Sequence, residues 1–298
     1  MKPSTQKSYF ERIERVVGYL NDQVDNNPSL ETLAGVAAIS PFHFHRVYRA
    51  ITGETPSSTL RRLRLAKACI LLKETGKSIT GIAFAVGYDS SQSFARAFRS
   101  GTGFSATELR KDPAALARVL KVLSTPVADP EKPTGNIEVK VVSVKPFKVI
   151  ACRHVGPHKG LFRAYGDLYS WAEKTGWVKN LKGIYGLPID DPRGIPEKEC
   201  RFDCCFDFGA DVKPGEGLRE EFLGGGHYAV ARHVGPYEGL EDKYDYLYGP
   251  WLNASGYLLR EKPFFNHYLQ DPETLPPEQW QTDIYLPIEK GEQDEKFF

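Results

Sequence analysis

The sequence predicts two domains, an all-α domain of two helix-turn-helix units followed by an α+β domain of two strand-helix-strand-strand repeats. Three observations predict this. At 298 residues the chain is too long for one ordinary compact domain and suits two. Within the first 110 residues a motif returns at an offset of 50, and in the second half a different motif returns at an offset of 79 to 80. The expected division is residues 1–112 for the first domain, 113–135 for a short helix and linker, 136–290 for the second domain, and 291–298 for a tail.

In the first repeat, Ser40, Phe44, Arg46, Tyr48 and Gly53 recur as Ser90, Phe94, Arg96, Phe98 and Gly103. Upstream, Ser29, Leu33 and Ala34 recur as Ser78, Ile82 and Ala83, offset by 49. Each unit reads as a short helix, a tight turn and a second helix. Ser29 and Ser78 can N-cap the first helices by accepting backbone N–H bonds. Leu30, Leu33, Ala34 and Ala37, and likewise Ile79, Ile82, Ala83 and Val86, give those helices an apolar face. Turns follow at Ala38-Ile39 and Gly87-Tyr88. Ser40, with Pro41 behind it, is expected to cap the next helix, and Asp89 or Ser90 does so in the second unit. Gly53 and Gly103 stand where these helices should stop. A long helix over residues 57–73 is expected to bridge the two units.

The second helix of each unit carries the functional signal. In the first, Phe44, Val47, Tyr48 and Ile51 share an inward face, which leaves Phe42, His45, Arg46 and Arg49 pointing out. In the other, Phe94, Ala97 and Phe98 turn inward and Ser91, Gln92, Ala95, Arg96 and Arg99 outward. Small, amide and guanidinium side chains near a helix N-terminus are the types that read base edges in a major groove. Charge agrees: residues 1–120 hold 17 Lys and Arg against 10 Asp and Glu, and the remainder holds 22 against 28. A basic half joined to an acidic half directs only the first toward a polyanion.

The stretch SPFHFHRVYRAITGETPSSTLRRLRLAKACILLK, followed by SITGIAFAVGYDSSQSFARAFRSGTGFSATELR, resembles the DNA-binding domain of the AraC family over residues 30–110. Gly81 departs from the family, which usually has a helix-favouring residue such as Glu there. The resemblance implies two recognition helices in successive major grooves, roughly 34 Å apart. It implies base contacts from Phe42, His45, Arg46, Ser91, Gln92 and Arg96. Phosphates would be held at the helix starts by Ser40 and Ser90, and by Arg49, Arg61 and Arg99. Double-stranded DNA is the implied partner, with RNA polymerase a further one.

After a helix over residues 113–123 and a Pro-rich linker, ACRHVGPHKGL at residues 151–161 recurs as VARHVGPYEGL at 230–240. Gly176 and Asp203 recur as Gly256 and Asp283, and Asp191-Pro192 as Asp271-Pro272. Alternation predicts strands over 137–142, 148–153, 182–187 and 201–208, with a helix over 159–174. The second copy predicts strands over 219–222, 228–233, 264–269 and 282–287, with a helix over 239–254. Two such units side by side make a pseudo-twofold sheet with a cleft between halves, a favoured place for ligands. The RHVGP motif, the LQDP turn and the TDIYLPI segment resemble the GyrI-like effector domain over residues 137–288. The resemblance implies a bulky organic effector between aromatic walls, for which Tyr165, Tyr185, Tyr237, Tyr268 and Tyr285 are candidates. In the family an acidic residue usually stands mid-cleft before the Asp-Pro turn. Here Asn266 holds that place, and a neutral amide cannot pair with a buried cation. A neutral or hydrogen-bonding ligand is expected instead. Trp171, Trp177 and Trp251 read as core, and His154 and His233, duplicated with the fold, as structural.

The reading is therefore a DNA-binding regulator modulated by a small organic effector, with no cofactor and no catalytic residue. The alternatives are a GyrI-like hydrolase, for which His267, Asp203 and Asp283 are the titratable groups, or a protein-binding module. Cys69, Cys152, Cys200, Cys204 and Cys205 form no disulfide framework and lack zinc spacing, so reduced, buried cysteines and no metal are expected. GEGLREEFLGGG, without a following Lys-Ser or Lys-Thr, reads as a connecting loop, not a phosphate cradle. Residues 1–8 lack the apolar stretch of a secretory signal and no run approaches a membrane span, so a cytoplasmic location is expected.

Overall fold

A computed structural model describes residues 3–125, 137–270 and 272–290; the expected tail at 291–298, most of the linker and Asp271 lie outside the described residues. The chain divides into two compact units, Phe10–Pro130 and Glu131–Phe298, the latter grouped with Met1–Tyr9.

The first unit is helical: α1 (Pro3–Asp22), which enters it at Phe10, α2 (Leu30–Ala37), α3 (Pro41–Thr52), α4 (Pro56–Glu74), α5 (Ile79–Ala85), α6 (Ser91–Thr102), α7 (Ala106–Lys111) and α8 (Pro113–Leu123). The caps follow the repeat. Ser29 accepts from the Thr32 N–H, Ser78 from Gly81 and Ser90 from Ser93. Gly53 and Gly103 end α3 and α6 in the left-handed conformation, at φ of 75° and 79°. Ser40 is different: it occupies the N-cap position of α3, but its side chain makes no capping bond and its buried Oγ has no partner.

The core of the second helix-turn-helix unit runs from α4 through α5 and α6 into α7 and α8. Leu65, Cys69, Ile82, Val86, Phe94, Phe98 and Leu109 share it with Leu116 and Leu123 of α8. The helix expected to begin a connector therefore belongs to this core. Neither α1 nor α7 stood out in the sequence, although α7 opens on a Ser105–Glu108 capping box.

The second unit is an antiparallel sheet of β1 (Val139–Val144), β2 (Phe147–Val155), β3 (Gly183–Pro188), β4 (Arg201–Asp207), β5 (Arg219–Leu223), β6 (Gly226–Val234), β7 (Tyr257–Leu259), β8 (Phe265–Tyr268) and β9 (Gln281–Lys290). α9 (Leu161–Lys174) and α10 (Leu240–Tyr246) are the helices of the two repeats. The second expected helix is broken, for a π-helical turn carrying Pro250 (Leu247–Trp251) separates α10 from α11 (Leu252–Ser255). A proline cannot donate to the helix ladder, and π turns absorb such a defect.

Strand order is β1-β6-β9-β8-β3-β4-β2-β5, with β7 added beside β9. It is a palindrome in repeat terms, with the pseudo-twofold seam between β8 and β3. The opening strands are exchanged: β1 of the first repeat pairs with β6 of the second, and β5 of the second pairs with β2 of the first. Across the seam, Ile184 faces Tyr268, Tyr185 faces His267 and Gly186 faces Asn266. No helix among the described residues is long and apolar enough to cross a membrane.

Candidate functional site

The two second helices present different surfaces. On α6, Phe94 and Phe98 are fully buried, while Gln92, Arg96 and Arg99 are exposed and Ser91 is half-buried. The Ser91 hydroxyl donates to the Gln92 side-chain oxygen at 3.3 Å. Phe42, at the start of α3, is exposed. From there the expectation fails, because His43 to Tyr48 are all buried, with His45 at 7% and Arg46 at 2% exposure, and Arg49 is half-buried. Successive helical residues turn by about 100°, so six buried in a row enclose the helix on every side. Apolar periodicity marks the face that must be buried; it says nothing of polar side chains that are covered as well.

Sequence reasoning missed Arg64. Its buried guanidinium donates from Nε to the Val24 carbonyl at 2.8 Å, and from Nη2 to the Asn26 carbonyl at 2.9 Å and to Asn27 Oδ1 at 3.1 Å. It also lies 5.5 Å from the Tyr88 ring centre, and burial pulls its pKa down. The trace in the sequence is Gly87 (φ 80°), where a Cβ would stand 2.5 Å from the Asp25 carbonyl oxygen and 2.6 Å from this guanidinium.

In the second unit, the strand pleat sorts the ligand candidates into two groups. Asn266 is 1% exposed on the face covered by α9 and α10, and its Nδ2 donates to the Tyr244 hydroxyl of α10 at 2.7 Å. Its Oδ1 is buried without a partner, as is the Oγ1 of Thr282 on the same face of β9. Tyr268 follows two residues on. Its ring meets Tyr165 edge-on at 6.1 Å and Tyr237 at 5.3 Å, and Tyr237 stacks on Trp280 at 4.6 Å. Tyr165 donates to the Tyr185 carbonyl at 2.7 Å. Tyr165, Tyr237, Asn266 and Tyr268 are thus brought together, and Tyr244 and Trp280 join them. Tyr185 and Tyr285 are not part of this group. An odd number of strand positions away, they point to the opposite face. There Tyr185 stacks on His267 at 4.4 Å and Tyr285 on Phe265 at 4.7 Å, within a core shared with Tyr228.

Burial raises the phenol pKa of both Tyr165 and Tyr268, and no carboxylate among the described residues acts on either. Among the described residues the site is aromatic, hydrogen-bonding and uncharged. The other titratable candidates are engaged elsewhere. Asp203 receives Arg153 and Arg219, and Asp283 receives Arg232 at 2.7 and 2.8 Å, all on the far face. The paired histidines serve the fold: His154 and His233 each hold, through Nε2, the carbonyl of Pro157 or Pro236 at 3.0 and 2.8 Å. The glycine that follows must be bare, because a Cβ at Gly160 or Gly239 would meet the imidazole Cε1 at 2.6 or 2.7 Å. The cysteines are free; burial pushes the Cys204 and Cys205 thiols up, which keeps them protonated and unreactive. Among the described residues no cluster of three or more metal-ligating side chains occurs.

Residues 137–289 match the GyrI-like small molecule binding domain. The chain belongs to the GyrI-like family. In this GyrI-like protein, residues 33–112 match a helix-turn-helix domain, which is a DNA-binding domain of the AraC type. Its relatives divide the same way. The probable transcriptional regulator YgiV of Escherichia coli K12 is 27% identical over 155 residues, 51% of this chain and 97% of that protein. The HTH-type transcriptional activator RhaS of Enterobacter sp. strain 638 is 37% identical over 100 residues, 34% of this chain and 36% of that one. A crystal structure of an AraC-type transcriptional regulator from Chromobacterium violaceum is 26% identical, covering 35% of this chain and 94% of its own, with a TM-score of 0.34.

Proposed function

We propose that this GyrI-like protein is a one-component, cytoplasmic transcription regulator whose promoter binding is set by an uncharged organic effector. The observation that carries the reading is the joining, in one chain, of an exposed polar face on α6 to a buried aromatic site whose central amide oxygen lacks a partner. Ser91 and Gln92, in the first turn of α6, face base edges, with Arg96 at the margin of that face. Phe42, exposed at the start of α3, contributes from the first helix-turn-helix unit. Ser40, Ser90, Arg49, Arg61 and Arg99 steady the backbone.

In the effector site, Tyr165, Tyr237 and Tyr268 supply ring contacts and Asn266 the hydrogen bond that fixes orientation. Such a ligand acts on DNA binding only through a difference in its affinity for the free and DNA-bound states. Contact with RNA polymerase is the proposed output. Binding without turnover is favoured because Asp203, Asp283 and His267 lie on the face away from Asn266.

The test is fluorescence anisotropy of the full chain with fragments of its own promoter region and with scrambled duplexes of the same composition. Gln92→Ala is expected to weaken promoter binding by about 10-fold, in the range of one lost base contact, and to leave scrambled DNA unchanged. Equal affinity of the parent for every sequence defeats the reading.

A further inference from the structure

Between α4 and α6 the first unit holds a cleft of about 650 Å³, lined by Ser57, Arg61 and Arg64 of α4, by Ser93 and Arg96 of α6, and by Tyr88. No Asp or Glu among the described residues lines it. Arg64 is committed to backbone carbonyls, and Asp25 and Asp89 are near enough to act on its charge. Arg61 and Arg96 are in the opposite condition. Both are exposed, and neither has a hydrogen-bond or ion-pair partner among the described residues. Two unpaired guanidinium groups on one concavity repel each other until an anion stands between them. Ser57 and Ser93 stand in the first turns of α4 and α6, so the positive ends of two helices open on the same space.

We infer that this cleft seats a backbone phosphate of the bound duplex, held between Arg61 and Arg96, so that Arg96 positions the DNA and does not read a base. The inference rests on the DNA-binding reading above and changes the part Arg96 plays in it. Position along the helix supports the change. Base edges are contacted from the N-terminal end of a recognition helix, which here is Ser91 and Gln92, whereas Arg96 is the sixth residue of α6. A guanidinium is suited to either target, but a phosphate accepts it from a wide range of directions and offers the full charge that an unpaired pair of arginines lacks.

Salt dependence separates the two roles. Dissociation constants of the full chain are measured for a promoter duplex and for its scrambled counterpart across a series of salt concentrations. Arg61→Ala and Arg96→Ala are each expected to weaken both duplexes by one common factor and to lower the slope of log K against log salt by about one. Arg96→Lys, which keeps the charge, is expected to retain the parental slope. Both positions are exposed, and unchanged circular dichroism melts verify that the variants fold. Loss confined to the promoter duplex, with the slope unchanged in Arg96→Ala, makes Arg96 a base reader and overturns the inference. Absence of salt-dependent binding of either duplex by the parent overturns the DNA-binding reading itself.

Discussion

Gly186 and Asn266 face each other across the β3–β8 seam, at equivalent positions of the two repeats. One copy keeps the position bare: a Cβ at Gly186 would meet the Phe202 ring at 2.6 Å and the Tyr268 hydroxyl at 2.7 Å. The other fills it with an amide whose second polar atom is buried and unpartnered. The pseudo-twofold axis thus passes through an asymmetric pair.

Changing the charge there should change ligand preference. The parent is expected to bind leucopararosaniline, neutral and rich in N–H donors, more tightly than the pararosaniline cation. Asn266→Asp is expected to shift the ratio toward the cation by at least about 10-fold, since an opposite charge stabilises a buried ion. Quenching of Trp280, which stacks on Tyr237 beside the site, reads the binding. A parent preferring the cation, with the ratio unmoved in the variant, refutes an uncharged effector.

The turns of the two helix-turn-helix units should respond in opposite ways to exchange of Gly and Ala. Ala38 is exposed at φ 51°, a left-handed conformation that Gly87 adopts at the equivalent place. Ala38→Gly is expected to stabilise the first unit by about 0.5–1 kcal/mol, the left-handed strain relieved less the entropy gained by the unfolded chain. Gly87→Ala adds that strain and a collision with the Asp25 carbonyl, and is expected to cost about 2–4 kcal/mol. Thermal melts of the two variants should therefore move to opposite sides of the parent.

Acid should weaken the second unit through His267. Burial against Tyr185 lowers its pKa below the ordinary 6.5, outweighing the pull of Asp283 and Asp207. The unfolded chain then takes up the proton more readily than the folded one, so the contribution of this group is present above 6.5 and falls as pH drops toward the folded value. His267→Gln is expected to flatten the decline in urea midpoint below pH 6.5, and nuclear magnetic resonance titration of the imidazole measures the shift directly. An unflattened profile assigns the acid sensitivity elsewhere.

The two Arg–Asp pairs should differ in weight. Asp203 is 2% exposed and bound by two arginines, whereas Asp283 is 11% exposed and bound by Arg232, itself half in solvent. Removing a partner costs most where the remaining charges are most buried. Asp203→Asn is expected to destabilise the second unit by about 2 kcal/mol and Asp283→Asn by about 1, the arginines' exposure reducing both. All four tryptophans, Trp171, Trp177, Trp251 and Trp280, lie in this unit, so their fluorescence reports its unfolding alone.

Much of this protein is written locally. A serine that caps, a glycine that ends a helix and an apolar residue every third or fourth position act within a single turn of chain. The paired helices of the two helix-turn-helix units, the helix between them and the four-element order of each later repeat were therefore readable from the letters, whereas α1 and α7 were not. Asn266 was singled out by the GyrI-like resemblance, and the strand register then set it opposite Gly186. Tertiary structure alone decided the rest. It exchanged β1 and β5 between repeats, enclosed Arg46 and His45, and turned Tyr185 and Tyr285 to the face away from Asn266. It also brought Arg61 and Arg96 to one cleft from 35 positions apart. The physical reason is common to all of these: each depends on which distant segment supplies the neighbouring surface, and a side chain's own periodicity carries no record of that partner.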